Sequence, residues 1–170
     1  ISACLVGSEM CIRDSNNIIR QNIEALLHDY QIIHLTGKGL VDDSINKKGY
    51  VQFEFVKDDL TDLLAITDTV ISRAGSNAIY EFLTLRIPML LIPLGLDQSR
   101  GDQIDNAKNF ESKGYGRHIP EDQLTEVNLL QELNDIELHR ESIIKQMETY
   151  QESYTKEDLF DKIIHDALNN

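Results

Sequence analysis

Between Val51 and Lys113 the sequence alternates short apolar runs with longer segments of helical period, and that alternation restricts the chain more than any other feature. Val51 to Val56 reads as a strand, and Asp58 or Asp59 is placed to cap a short helix through Leu60, Leu63, Leu64 and Ile66. Thr69 to Ser72 is the next strand, Ser76 to Leu85 a helix, Met89 to Ile92 a strand and Asp102 to Lys113 a helix. Upstream, Ile18, Ile19, Ile23, Leu26 and Leu27 recur at helical spacing, which predicts one helix from Asn16 to near Tyr30. The β-branched run Gln31 to Leu35 follows, with turn chemistry in Thr36-Gly37-Lys38-Gly39. Beyond Pro120 the chain reads as helical to its end, through Leu129, Leu130, Leu133, Ile143, Ile144 and Met147 to Leu159, Ile163, Ile164 and Leu168. Short apolar strands joined by helical crossovers build a parallel sheet covered on both faces. The expected fold is therefore a Rossmann-like α/β domain, a parallel sheet with flanking helices, carrying a helical C-terminal tail.

Size and composition exclude several classes. At 170 residues the chain holds one domain rather than two lobes, and 41% hydrophobic residues are enough for a core. The longest apolar candidate, Ile87 to Leu96, is interrupted by Pro88 and Pro93 and falls short of the roughly 18–20 residues that span a bilayer. A water-soluble domain is expected. The formal net charge is −13, with 13 acids against 4 bases in residues 121–170, so nucleic acid is not an expected partner. Cys4 and Cys11 lie together without clustered histidines, which supports neither a disulfide framework nor a zinc site and fits a reducing compartment. His28, His34, His118, His139 and His165 are scattered, no GxGxxG, Walker, HExxH or GxSxG pattern occurs, and no metal or cofactor is expected.

Ligands of a doubly wound sheet sit at the carboxyl ends of its strands, and two such ends fall between Val70 and Asn106. At the first, Arg73-Ala74-Gly75-Ser76-Asn77 passes straight into a helix. Gly75 permits close backbone approach, Ser76 or Asn77 can cap, and the helix N–H groups suit a diphosphate. An ordinary capped helix explains the same residue types. Glu81, about one turn on, can accept hydrogen bonds from a ribose diol or stand as a solvated helix glutamate. The second end opens at Pro93 into Leu94 to Gly101 and a helix bearing Asp102, Gln103 and Asn106, whose amides and carboxylate suit sugar hydroxyls. Asp102 as a plain N-cap and Gln103 as a surface residue is the competing reading.

This window closely resembles the bacterial lipid-II-forming N-acetylglucosaminyltransferases, the MurG family. The resemblance rests on Ser72-Arg73-Ala74-Gly75-Ser76, Glu81, the Ile87-Pro88 and Ile92-Pro93 strand boundaries, and Asp97 through Asn106, and it runs from about Asn16 to Asn170. It implies the C-terminal, UDP-N-acetylglucosamine-binding lobe of a two-domain GT-B glycosyltransferase. By that resemblance the Val56 backbone contacts uracil, the segment from Ser76 to Glu81, with Arg73, Gly75 and Asn77, surrounds diphosphate and ribose, and Gln103 touches the sugar. Asp102 stands where some members carry a second glutamine, and Asn106 is a supporting contact.

The family's Gly-rich phosphate loop has no counterpart in residues 1–15, where CLVGSEMCIRDS looks like translated adaptor sequence, so 1–15 is expected to be foreign and 16–170 to be the domain. The resemblance also implies an N-terminal lobe, absent here, that supplies the lipid-linked acceptor site, the catalytic base and a surface for the inner face of the cytoplasmic membrane. The expected activity is inverting transfer of N-acetylglucosamine from UDP to a lipid-linked muramoyl-pentapeptide, with the bare chain inactive. A non-catalytic UDP-sugar-binding module and another GT-B enzyme, such as a UDP-N-acetylglucosamine 2-epimerase, are the rivals.

Overall fold

The structure, a computed structural model, describes residues 9–56, 60–96 and 100–152. It contains α1 (Glu9–Gln21), α2 (Ile23–Asp29), β1 (Ile32–Leu35), β2 (Tyr50–Phe53), α3 (Leu60–Ala65), β3 (Val70–Ser72), α4 (Ser76–Thr84), β4 (Met89–Leu91), α5 (Asp102–Ser112), β5 (Gly116–His118), α6 (Glu126–Leu138) and α7 (Arg140–Glu152). All strand pairs are parallel. They fall into two groups, β1 with β2 and β3-β4-β5, with Val70 opposite Met89 and Met89 opposite Gly116. The single sheet expected from the alternation is thus resolved into two parallel ladders. Side chains in the middle of α1 bridge them: Asn16 Nδ2 donates to the Thr36 carbonyl at 2.8 Å, and Ser15 Oγ accepts from Arg73 Nε at 2.8 Å.

Every residue of β3 and β4 is buried, as a strand covered on both faces requires. One core holds Ile71, Leu90 and Leu91 against Ile79, Phe82 and Leu83 of α4, Phe110 of α5, Leu129, Leu133 and Ile136 of α6, and Met147 of α7. Aromatic edges close its rim, with Phe110 packed between Tyr80 at 5.3 Å and Tyr115 at 5.6 Å between ring centroids.

Several local expectations change. The helix predicted from Asn16 to Tyr30 is two helices, because Asn22 (φ −105°, ψ 10°) leaves the helical region and its Nδ2 donates back to the Ile18 carbonyl at 2.7 Å. An asparagine that competes for the backbone in this way interrupts a helix. The strand β5 has no apolar run to announce it; it forms because a Cβ at Gly116 would meet the Met89 carbonyl at 2.0 Å, so only glycine lets the two backbones pair this closely. The tail begins with a 3-10 turn (Glu121–Gln123) before α6, whose N-cap Thr125 accepts from the Asn128 N–H. Asp58, Asp59, Asp97 and the Leu159–Leu168 stretch lie outside the described residues.

A buried network secures the first ladder. Asn16 spends its amide N–H on Thr36, so its Oδ1 accepts, and His34 Nε2 must carry the proton at 2.9 Å. His34 Nδ1 then accepts from the Tyr50 hydroxyl at 2.7 Å. Burial, reinforced by the Arg20 charge, pushes His34 down from 6.5 to about 4.

Two predictions follow from this packing. Below about pH 6.5 the unfolded chain takes a proton at His34 that the folded chain refuses, so the network's contribution is complete above that pH and falls as pH drops toward 4. Urea unfolding at pH 7 and pH 4.5 should show a loss that is smaller in His34→Gln by about 2–3 kcal/mol. Gly116→Ala should cost about 2–3 kcal/mol in the same assay, because the methyl meets main chain that cannot move without breaking the β4–β5 ladder.

Candidate functional site

The carboxyl ends of β3 and β4 both open on the same edge of the second ladder, and each delivers the chain to a helix N-terminus. After β3, the buried Arg73 and Ala74 lead to Gly75, which precedes α4 in extended conformation (φ −72°, ψ 132°). Gly75 is the N-cap, and no side chain caps α4 among the described residues, although Ser76 or Asn77 would serve by residue type. A Cβ built on Gly75 meets nothing within 4 Å. The backbone at Gly75 is therefore open on its Cβ side, next to the first-turn N–H groups and the positive end of the helix dipole, which favour an anion. Asn77 and Glu81 stand four residues apart on α4, on one exposed face.

After β4, the chain runs through Pro93 and Leu94 to Gly101, whose left-handed backbone (φ +91°) caps α5. Gly101, rather than Asp102, is thus the N-cap, and exposed Asp102 occupies the first helical position, where its charge favours the dipole. Gln103 turns its Oε1 back to accept from the Leu94 N–H at 3.2 Å, which leaves its amide NH2 to donate outward. One helical turn on, Asn106 Nδ2 donates to the Ala74 carbonyl at 3.1 Å and to Ser76 Oγ at 3.2 Å. That amide fixes α5 against the turn before α4, and its Oδ1 remains as an acceptor.

The structure therefore brings Gly75, Ser76, Asn77, Gln103 and Asn106 to one edge, with Asp102 at its margin and Glu81 a turn further along α4. Val56 lies three residues past β2, at the carboxyl end of the other ladder. Beside it stands Phe55, an aromatic residue 57% exposed, which sequence reasoning missed. Its signal was there: in Val51, Phe53 and Phe55 an alternating apolar set continues past the strand, and all three are exposed. Arg73 is placed differently from the others. Its side chain is 1% exposed and lies behind the turn, with its nitrogens bonded to Ser15, the Ile92 carbonyl and Glu121. Removing the Asn106 amide should loosen the joint between α5 and the α4 turn. Asn106→Ala is expected to lower unfolding free energy by about 1 kcal/mol in urea titration, in line with the loss of a part-buried hydrogen bond.

The domain model of glycosyltransferase family 28, C-terminal domain, matches residues 4–163. The chain is 93% identical over 165 residues to the UDP-N-acetylglucosamine--N-acetylmuramyl-(pentapeptide) pyrophosphoryl-undecaprenol N-acetylglucosamine transferase of Staphylococcus epidermidis, covering 97% of this chain and 46% of that protein. It is 77% identical to the transferase of the same name from Staphylococcus haemolyticus, over 96% of this chain and 46% of that one. The crystal structure of Acinetobacter baumannii MurG superposes with a TM-score of 0.67 at 19% identity, covering 86% of this chain and 43% of that one. The chain spans about half the length of the curated relatives it matches, and its fold is that of one lobe of a GT-B glycosyltransferase. With the family model covering nearly its whole length, this chain belongs to the glycosyltransferase family 28 C-terminal domain family.

Proposed function

We propose that this domain is the donor-binding part of an inverting transferase that moves N-acetylglucosamine from UDP-N-acetylglucosamine to a lipid-linked muramoyl-pentapeptide, the step that forms lipid II in peptidoglycan synthesis. The observation that carries the reading is the uncapped N-terminus of α4, open at Gly75 and tied through Asn106 to the amide-bearing start of α5. The diphosphate sits over Gly75, Ser76 and Asn77, where backbone N–H groups and the helix dipole stabilise the negative charge that grows on UDP as the glycosidic bond breaks. Glu81 accepts from the ribose hydroxyls. The Val56 backbone offers one donor and one acceptor to the uracil edge, and Phe55 offers the base an aromatic face. Gln103 donates its free NH2 to the sugar, Asn106 presents its free Oδ1, and Asp102 lies at the rim. Arg73 backs the turn from inside.

In this reading Glu81 is committed to the ribose and Asp102 lies at the rim, so neither is assigned as the base that takes the proton of an acceptor hydroxyl. Acceptor binding, that base and attachment to the cytoplasmic face of the membrane are assigned to the portion of the relatives beyond the span this chain matches, so the chain alone should bind donor without turnover. The donor domain proper is taken as 16–170, with Ser15 held against it by Arg73.

Calorimetric titration of the chain with UDP-N-acetylglucosamine, UDP and ADP tests the reading. Uridine-selective binding is expected; a folded sample that binds none of them, or binds ADP equally well, overturns it. The ribose role has its own test. UDP should bind more tightly than 2′-deoxy-UDP, and Glu81→Ala should weaken UDP by about tenfold while erasing that preference, as loss of a charge-assisted hydrogen bond implies.

A further inference from the structure

The nitrogens of Arg73 are spent inside the protein. Nε donates to Ser15 Oγ at 2.8 Å, one terminal nitrogen to the Ile92 carbonyl at 3.1 Å and the other to the Glu121 carboxylate at 2.5 Å. These partners come from the middle of α1, the residue after β4 and the 3-10 turn after β5, while Arg73 itself follows β3. One planar fork therefore spans the carboxyl edge of the whole second ladder, two residues before Gly75. Lysine, whose three donors sit on one nitrogen, cannot present a spread planar fork to these three partners. The Glu121 carboxylate already answers the charge of Arg73, and the guanidinium is 1% exposed, so an anion above Gly75 would have to displace protein groups to reach it.

We propose that Arg73 is a positioning residue of the donor site, acting through the Ala74-Gly75-Ser76 backbone without touching the nucleotide. It holds that turn from inside the sheet while Asn106 holds it from the α5 side, and the two together aim the first-turn N–H groups of α4. The proposal rests on the donor-site reading for its ligand, but not for its mechanical content.

Glu121 separates the alternatives, because it bonds the guanidinium yet belongs to neither the turn nor α4. If Arg73 positions the turn, Glu121→Ala frees the fork. Amide exchange at Ile79 to Phe82, whose first member bonds the Gly75 carbonyl, should then quicken about tenfold relative to Leu133 and Ile136 in α6. UDP affinity of the folded variant should fall by about tenfold. Arg73→Met with Glu121→Ala should be no weaker than Arg73→Met alone, and Glu121→Gln, which keeps an acceptor, should recover most of the affinity. If Arg73 instead grips the diphosphate, removing Glu121 unmasks its charge and UDP binds more tightly, which overturns the proposal. Unchanged exchange at Ile79 to Phe82 overturns it equally. Should Glu121→Ala not fold, Ser15→Ala removes another arm of the fork and carries the same comparison with a smaller expected effect. A wild-type chain that binds no UDP sinks the donor-site reading alone, and the exchange measurement still decides the role of Arg73.

Discussion

Parallel pairing of β3, β4 and β5 is the constraint on which the rest of this domain depends. A central strand such as β4, buried on both faces, leaves no room for polar side chains along its length, so polar chemistry is driven to the strand ends. Because all three strands run the same way, their carboxyl ends meet along one edge, and every helix that follows a strand starts there. The N-termini of α4 and α5 are side by side for this reason. Two helix dipoles aimed at one edge make it receptive to negative charge even though the chain as a whole carries a formal charge of −13.

The edge is held together by polar side chains that each bond a backbone group lying beyond a strand end. Asn106 joins α5 to the Ala74 carbonyl and to Ser76, Gln103 closes the loop after β4 onto its own helix, and Asn16 reaches the end of β1. The carbonyls of Thr36, Ala74 and Ile92 lie just past strand ends, where the regular ladder no longer supplies a partner. Buried or half-buried, they are expensive to leave unbonded, and amide and guanidinium donors meet that need while fixing the angles between elements. The same groups that complete the backbone's hydrogen bonds thereby define the shape of the opening above Gly75.

Much of this was legible in the residues. The alternation from Val51 to Lys113 located β2, α3, β3, α4, β4 and α5 to within a few residues, since helical and strand periodicities differ and turns separate them. The Gly75-Ser76-Asn77 start of α4 and the Gln103–Asn106 turn of α5 could be placed at strand ends from order alone. What stayed hidden had weak local signals. Gly116-Arg117-His118 carries no apolar pattern and becomes a strand only because Met89 lies beside it. Asn22 breaks a helix whose apolar spacing runs on uninterrupted, because its side chain prefers the Ile18 carbonyl. The resemblance places Arg73 among the residues around diphosphate and ribose, but its burial depends on Ser15 and Glu121, 58 and 48 residues away.

The sequence by itself determined the type and order of the elements, the parallel class of the sheet and the two strand ends at which chemistry gathers, because periodicity, β-branching and turn residues act over a few neighbours. Tertiary structure alone decided how the strands divide into two ladders, which amide groups of Asn106 and Gln103 are already engaged, and that Arg73 faces inward while α4 has no side-chain cap among the described residues. Those outcomes depend on distances between residues far apart in the chain, and no local pattern encodes which of several polar partners a buried group will meet.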